Sequence, residues 1–415
     1  MTNLPQGWEV KKLEEIANIK GGKRLPKGEN LLDNNTKFAY IRVADFQDNG
    51  TINLQNIKFI NENTYNVLKN YKIYDDNLYI SIAGTIGKSG IIPKELNGAI
   101  LTENAVKLEY IQNNISNKFM YFFTLSNIFK TQIQTSTKIV AQPKLAITRL
   151  KQIQIPLPPL KEQERIVGIL DESFAKIDES IKILEQDLLN LDELMQSALQ
   201  KAFNPLKDNA KENYQLPQGW EWKSLGEICF ITDGTHKTPN YIKTGIPFLS
   251  VKNISKGFFD LSDVKYISLE EHNKLIKRAK PEFGDILICR IGTLGKAIKI
   301  SLEFEFSIFV SLGLLKPKVK IISDYLVYFL NSYFIEGWIN NNKVGGGTHT
   351  AKLNLNILEK CPVALPPLKE QEQIASYLDE LSLNIKDLKQ NYQAQIKNLQ
   401  ELKKSLLDRA FKGRL

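Results

Sequence analysis

Leu157-Pro158-Pro159-Leu160-Lys161-Glu162-Gln163-Glu164-Arg165-Ile166 returns 208 residues later as Leu365-Pro366-Pro367-Leu368-Lys369-Glu370-Gln371-Glu372-Gln373-Ile374. The paired prolines hold an extended approach, because the residue before a proline avoids the helical region. A proline also suits the mouth of a helix, where a missing N–H costs little. Each copy therefore opens a helix. In the first, Phe174, Ile177, Ile181, Leu184, Leu188, Leu191, Met195, Ala198 and Ala202 recur at spacings of three and four, the seam of a coiled coil. From Lys161 to Phe203 this predicts a rod of roughly 65 Å. A seam of that length requires a partner. The second stretch offers Leu381, Ile385, Leu388, Tyr392, Ile396, Leu399, Leu402, Leu406 and Ala410, with Lys389 and Lys403 interrupting the pattern. A surface helix or a homodimeric zipper would also fit. Intramolecular pairing is favoured because both helices belong to one chain.

The repetition extends outward from these helices. Leu4-Pro5-Gln6-Gly7-Trp8-Glu9 returns as Leu216-Pro217-Gln218-Gly219-Trp220-Glu221, and Gly84-Thr85-Ile86-Gly87-Lys88 as Gly292-Thr293-Leu294-Gly295-Lys296. Gln200-Lys201-Ala202-Phe203 matches Asp408-Arg409-Ala410-Phe411. The chain reads as two units, each a globe followed by a rod. The expected boundaries are 1–159 for the first globe, 160–203 for its helix, 204–215 for a polar linker, 216–367 for the second globe and 368–415 for the last helix. Within the globes, Tyr40–Val43, Leu78–Ala83, Ala105–Leu108, Phe248–Val251, Asp285–Ile291 and Val310–Leu315 read as short strands. Met120–Phe129 and Tyr325–Trp338 read as single amphipathic helices. The fold class is α+β: two α/β globes in an internal repeat, separated by two long helices that form an antiparallel coiled coil.

Charge divides along the same boundaries. Residues 1–159 carry 20 Lys and Arg against 13 Asp and Glu, and residues 216–367 carry 19 against 14. The first rod, 160–203, is acidic, with 5 against 10. Basic globes suit a polyanion, while an acidic rod is left for protein; a solvated basic surface is the plainer explanation of the charge alone. No apolar run spans a bilayer, and the N-terminal stretch does not read as a signal peptide. The three cysteines, Cys229, Cys289 and Cys361, form neither a disulfide framework nor a zinc pattern. A reducing, cytoplasmic setting is expected.

Catalytic and cofactor chemistry is absent from the pattern. The Gly-Thr-Ile-Gly-Lys stretch with Ser89 resembles a phosphate-binding loop, but Ile82 stands where the ATPase form needs glycine, and Ala297 ends the second copy. A tight strand-to-strand turn explains it, as does a turn that also offers N–H groups and Lys88 or Lys296 to a DNA phosphate. His236, His272 and His349 lack ligand or triad spacing. No glycine-rich cofactor fingerprint and no Asn/Asp-Pro-Pro-aromatic motif of an amino-group methyltransferase occurs. No cofactor and no metal are expected.

Taken together, Leu-Pro-Gln-Gly-Trp, Gly-Thr-Ile/Leu-Gly-Lys, Pro-Leu-Pro-Pro-Leu-Lys-Glu-Gln-Glu, Asp171-Glu172 with Asp379-Glu380, and the closing Ala-Phe pairs resemble the DNA-specificity subunits of Type I restriction-modification systems. The resemblance covers essentially the whole chain. One departure is Gln154-Ile155-Pro156 against Pro362-Val363-Ala364 at the joints. The resemblance implies two target-recognition domains reading a bipartite double-stranded DNA target. It also implies two methyltransferase subunits and, through the complex, restriction-translocase subunits as partners, no membrane, and no catalysis by this subunit. A scaffold with two interaction domains on a zipper is the alternative. Base and phosphate readout favours Arg, Lys, Asn, Gln, Ser and Thr on loops. The candidate DNA contacts are Lys23, Arg24, Arg42, Thr85, Lys88, Lys138, Gln142 and Lys144 in the first globe. In the second they are His236, Lys237, Lys252, Asn253, Arg290, Thr293, Lys296, Thr348, His349 and Lys352.

Overall fold

The computed structural model describes residues 4–136, 144–203, 216–346 and 351–415. The expected linker 204–215 lies outside them. The chain forms two compact units, Met1–Leu184 with Gln393–Leu415, and Glu185–Tyr392. Two 43-residue helices, Leu160–Ala202 and Leu368–Ala410, each contribute to both.

In the first unit a four-stranded antiparallel sheet runs in the order Ala17–Gly21, Ala105–Tyr110, Leu78–Ser81, Ser89–Ile91. A second sheet orders Lys58–Phe59, Ala39–Ile41, Ala99–Leu101 and Lys72–Ile73, with the middle two strands parallel. Strand Glu9–Lys12 pairs with Gln154–Leu157, bringing the start of the globe to its exit. The second unit repeats the plan. Its central sheet is Cys229–Asp233, Leu312–Pro317, Ile286–Cys289, Ala297–Lys299, and Glu221–Ser224 pairs with Pro362–Leu365. Its second sheet has three strands, Lys265–Ile267, Ile246–Leu249 and Ser307–Ile308.

The expected single helices are each two. Asn117–Leu125 and Asn127–Ser136 break at Ser126, whose Oγ accepts from Phe129 N–H at 3.3 Å and caps the second helix. Ser323–Leu330 and Tyr333–Asn342 break at Asn331, whose side-chain amide donates to Ala297 O at 2.8 Å and accepts from Ala297 N–H at 3.2 Å. A polar residue that satisfies a strand edge outweighs helix continuity there.

The long helices run antiparallel in both units, and their ends complete the cores. Phe411 packs on Phe119 and Phe123 with ring centroids 5.1 and 5.5 Å away, in a core that also holds Ile166 and Leu170. Phe203 packs on Phe329 and Tyr325 at 5.3 and 5.8 Å, in a core that also holds Ala375 and Leu378. Each helix thus ends in the core where the other begins. The seam of the second helix departs from the expected one at two positions. Leu388 and Leu402, expected inside, are 40% and 46% exposed. Lys389 and Lys403 take the seam instead, paired across it to Asp192 and Asp178, and Lys403 Nζ lies 4.7 Å from the Phe174 ring centroid. Ile385, Lys389, Tyr392, Ile396, Leu399, Lys403, Leu406 and Ala410 are covered positions, at alternating steps of four and three, a stricter seven-residue repeat than one through Leu388 and Leu402.

The repeated Lys-Glu-Gln-Glu has a structural cause. Gln163 is buried; its Oε1 accepts from Ser116 N–H at 2.9 Å, and its Nε2 donates to Asn114 O at 3.0 Å and Pro158 O at 2.9 Å. Gln371 likewise accepts from Ile322 N–H at 3.0 Å and donates to Pro366 O at 2.8 Å. One amide side chain therefore ties the proline joint, the helix mouth and the globe together. Gln163→Ala strands the Ser116 N–H and two carbonyls, and should cost about 1–3 kcal/mol, read as a lowered urea midpoint of the first unit. An unchanged midpoint would show that water replaces the tie at no cost.

Candidate nucleic-acid interface

One end of each central sheet gathers the loops that carry the candidate residues. In the first unit Gly22 N–H donates to Ala105 O, Lys23 N–H to Leu101 O, Ile82 N–H to Asn104 O, and Ala83 bridges Lys144. In the second, Gly234 N–H donates to Leu312 O, Thr235 N–H to Ile308 O, and Ile291 bridges Lys352. The same backbone bonds build the same rim in both. The Gly84–Lys88 and Gly292–Lys296 stretches are turns between antiparallel strands, with positive φ at Gly84, Gly87, Gly292 and Gly295. No helix follows either turn, which removes the phosphate-loop reading of an NTPase. Beside each turn lies a cleft of about 400 Å³, one lined by Lys88, Phe129 and Ile133, the other by Lys296, Asn331 and Ile339.

Most of the described candidates stand at this rim with exposed or half-buried side chains: Lys23, Arg24, Arg42, Thr85, Lys88, Lys144, His236, Lys237, Lys252, Thr293, Lys296 and Lys352. Arg24 pairs with Glu103 at 2.7 Å and Lys88 with Asp48 at 2.8 Å. Arg42 lies along the buried Asp45, donating from Nη2 at 2.6 Å and Nε at 3.1 Å. Lys138, Gln142, Thr348 and His349 lie outside the described residues.

Two candidates are placed differently. Asn253, expected at the surface, is 4% exposed. Its Oδ1 accepts from Ser250 N–H at 2.9 Å, and its Nδ2 donates to Asp260 O at 3.0 Å. Those bonds fix the turn after a strand, as Asp45 does when it accepts from Arg42 N–H at 2.7 Å. Arg290, expected as a base reader, is 8% exposed. Its Nε donates to Leu353 O at 2.9 Å and its Nη1 to Asp233, so its fork is spent inside the unit. Gly313 leaves room for this: a Cβ there would stand 3.0 Å from Arg290 Cδ, so the side chain crosses the central strand where a methyl would crowd it. At the matching positions of the first unit stand Gly21, Val106 and Ile82, an apolar triple in place of Asp233, Gly313 and Arg290.

Asp233 is 1% exposed and gathers two guanidinium groups and an imidazole. Arg278 donates to it from Nη2, Arg290 from Nη1, and His236 Nε2 lies 3.0 Å away. Burial alone raises the Asp233 carboxyl, but the Arg278 hydrogen bond, the Arg290 charge and the His236 bond outweigh it, leaving the group below its ordinary value. Arg278 escaped the sequence reading because a Lys-Arg pair after a short helix looks like any solvated charge. Its distinguishing signal was the positional match to Tyr71, a residue of different chemistry.

Outside this rim, His272 is buried with Nδ1 2.9 Å from Ser307 Oγ. Cys229, Cys289 and Cys361 are buried thiols, each pushed up to about 12 by desolvation. Among the described residues no group of three or more His, Cys, Asp or Glu could hold a metal, and no helix is long and apolar enough to cross a membrane.

A family model described as the Type I restriction modification DNA specificity domain matches the chain twice, over residues 5–188 and 217–398. The chain belongs to this family and carries two of its recognition domains. Among its relatives, the EcoBI specificity subunit of Escherichia coli is 24% identical, the match covering 100% of this chain and 88% of the relative. A putative specificity subunit of Haemophilus influenzae is 26% identical over 92% of this chain and 89% of its own. Among solved structures, a chain studied for the assembly and conformational transition of a type I R-M system superposes with a TM-score of 0.78 at 21% identity, covering 100% of both chains. The HsdS subunit of Thermoanaerobacter tengcongensis gives 0.64 at 22% identity, covering 100% and 98%.

Two measurements check the charge cluster. Arg290→Ala leaves a buried carboxylate short of a partner and should destabilise the second unit by about 3–5 kcal/mol; a change confined to base preference, with stability intact, would return Arg290 to the interface. Because folding lowers the Asp233 pKa, its stabilisation is full above the unfolded value of about 3.9 and disappears as pH falls through the lower folded value. The stability difference between the natural protein and Asp233→Asn should therefore shrink on acidification below about pH 4. A difference independent of pH would remove the carboxylate from the account.

Proposed function

We propose that this chain is the DNA-reading, non-catalytic subunit of a Type I restriction-modification complex, each recognition domain reading one half of a bipartite double-stranded target. The observation that carries this reading is the rim itself. Identical backbone bonds present different side chains in the two units, with Lys23 and Arg24 where the other has Thr235 and His236. A duplicated frame with divergent rim chemistry is what two unlike half-sites require. The excess of Lys and Arg over Asp and Glu in both globes supplies the sequence-independent attraction to phosphate. The long helices, continuous over 43 residues each, serve as the spacer between half-sites and as the docking surface for two methyltransferase subunits, through which restriction-translocase subunits join. Both recruitment steps belong in the cytoplasm, where the DNA is.

Exchanging residues 216–362 for those of another family member should change one half of the methylated motif and leave the other intact; altered halves on both sides would rule out modular reading. Spacer length is tested by paired seven-residue insertions after Leu188 and Gln393, which keep the antiparallel register set by the lysine–aspartate pairs. Two added helical turns lengthen the pair by about 10 Å, or about three base pairs. An unchanged gap would end the ruler idea. Binding of the assembled complex to a DNA fragment should weaken steeply with salt, which a protein scaffold would not show.

A further inference from the structure

We propose that Arg278 is a specificity-determining residue of the second recognition domain, held along its Nε–Nη2 edge by Asp233 so that the end of its guanidinium reads a guanine. The inference rests on the second unit reading DNA and goes beyond it by naming the residue, its support and the base.

Arg278 sits in the turn after the helix Leu269–Leu275, its N–H bonded to Leu275 O at 3.1 Å. Its side chain is 55% exposed, unlike that of Arg290 beneath it. Nε donates to the Asp233 backbone carbonyl at 3.2 Å and Nη2 to the Asp233 carboxylate, so one edge of the fork is fixed by the protein. Among the described residues nothing accepts from Nη1. The end-on edge, Nη1 with the second hydrogen of Nη2, is therefore the one presented to solvent.

That geometry separates base reading from phosphate contact. A phosphate needs only a cation within reach, and a lysine on a mobile stem suffices. Guanine presents two acceptors, O6 and N7, to which a planar fork donates in parallel only when its orientation is set beforehand. Asp233 sets it and is itself immobilised: strand pairing holds its backbone opposite Gly313, and Arg290 holds its carboxylate from the interior side. One carboxylate against two guanidinium groups leaves the cluster positive, so the support does not repel DNA. Adenine, which offers a donor where guanine has O6, is rejected by the same fork.

The first unit answers with different chemistry at the same place. Tyr71 makes the equivalent backbone bond, to Leu68 O at 2.9 Å, and Lys23 Nζ lies 5.9 Å from its ring centroid. With Gly21 in place of Asp233, no buried anion is there to orient a guanidinium. This position is thus a point at which the two domains diverge in what they offer a base.

The test uses cells expressing the complete modification complex, with methylated motifs mapped by sequencing for the natural protein, Arg278→Ala, Arg278→Lys and Asp233→Asn. The half read by the second domain is known from the 216–362 exchange. Expected is a guanine, or its paired cytosine, in that half. Arg278→Ala should relax that one position, raising modification of sites with another base there by roughly 5- to 100-fold relative to the natural site, while the other half stays fixed. Arg278→Lys keeps the charge but loses the fork, and should relax the same position. Asp233→Asn should do likewise, a positional effect that mere loss of stability cannot produce. Modification lowered evenly with the motif unchanged would make Arg278 a phosphate contact and overturn the proposal. If Arg278→Ala abolishes modification, binding of the Arg278→Lys complex to oligonucleotides bearing the natural motif and its single-base variants decides: relaxed discrimination supports the assignment, and retained discrimination overturns it. If the natural complex methylates no bipartite motif, the proposed function fails and the inference falls with it.

Discussion

Phe411 seals a core whose first strand begins near the other end of the chain, and Phe203 does the same for the second unit. This exchange is the constraint on which the rest depends. A buried phenylalanine removed from a well-packed core typically costs 3–5 kcal/mol, a large part of the stability of any domain. Neither unit can therefore be complete until the helix started by the other has been laid down beside it. The antiparallel direction follows without help from the seam: each helix leaves one core through a proline joint and must end in the other. Gln163 and Gln371 fix the departure, the terminal Ala-Phe pairs fix the arrival, and the middle of the helices has only to be straight enough to connect them.

That division of labour explains which parts of the helices were legible. The motifs at both ends were read directly, because each performs a local task that few side chains can perform. The middle was misread by one residue at Leu388 and Leu402, since apolar side chains were preferred there to the two lysines that keep the seven-residue period. Lysines then sit on the seam, their stems covering apolar surface and their ammonium groups reaching Asp178 and Asp192. Pairs this exposed contribute little to stability, but they disfavour any register that would set Lys389 or Lys403 against another cation. The globes' helix breaks were missed for a related reason. Ser126 and Asn331 look unremarkable within an amphipathic run; Ser126 stops one helix by capping the next through Phe129 N–H three residues on, and Asn331 is made a stop by its partner across the fold, the Ala297 edge.

At the rim, sequence identified the loops better than the side chains. Arginine is enriched where proteins read bases, so Arg290 was the natural candidate; yet it immediately follows the end of a buried strand, and a side chain leaving that strand can turn inward as readily as outward. What decides is Gly313 on the neighbouring strand, which opens the path to Asp233, and no local pattern announces a cross-strand gap. Asn253 was misjudged similarly: at the third position of a tight turn, an acceptor side chain is worth more to its own backbone than to a ligand. Comparison of the two repeats would have exposed both. Asp45 at the site of Asn253, and Ile82 at the site of Arg290, mark one position as a turn-former and the other as interior.

The same comparison bears on how one frame carries two different rims. The triple Gly21, Val106 and Ile82 became Asp233, Gly313 and Arg290, or the reverse, and no single step of that exchange is neutral. An aspartate added beside Val106 and Ile82 would be a buried charge without a partner, and an arginine added without the glycine would have no room. Variation at the exposed rim is cheap by contrast, since the Lys23 side chain can change without disturbing the backbone bonds that define the loop. A recognition domain of this kind thus holds two layers of variability. Exposed residues change singly and adjust contacts, whereas the buried layer changes in sets and alters which exposed residues can be held in a fixed orientation. The two units stand on opposite sides of such a step. Arg278 and Tyr71, on matching backbones, stand at the outer ends of those two buried arrangements.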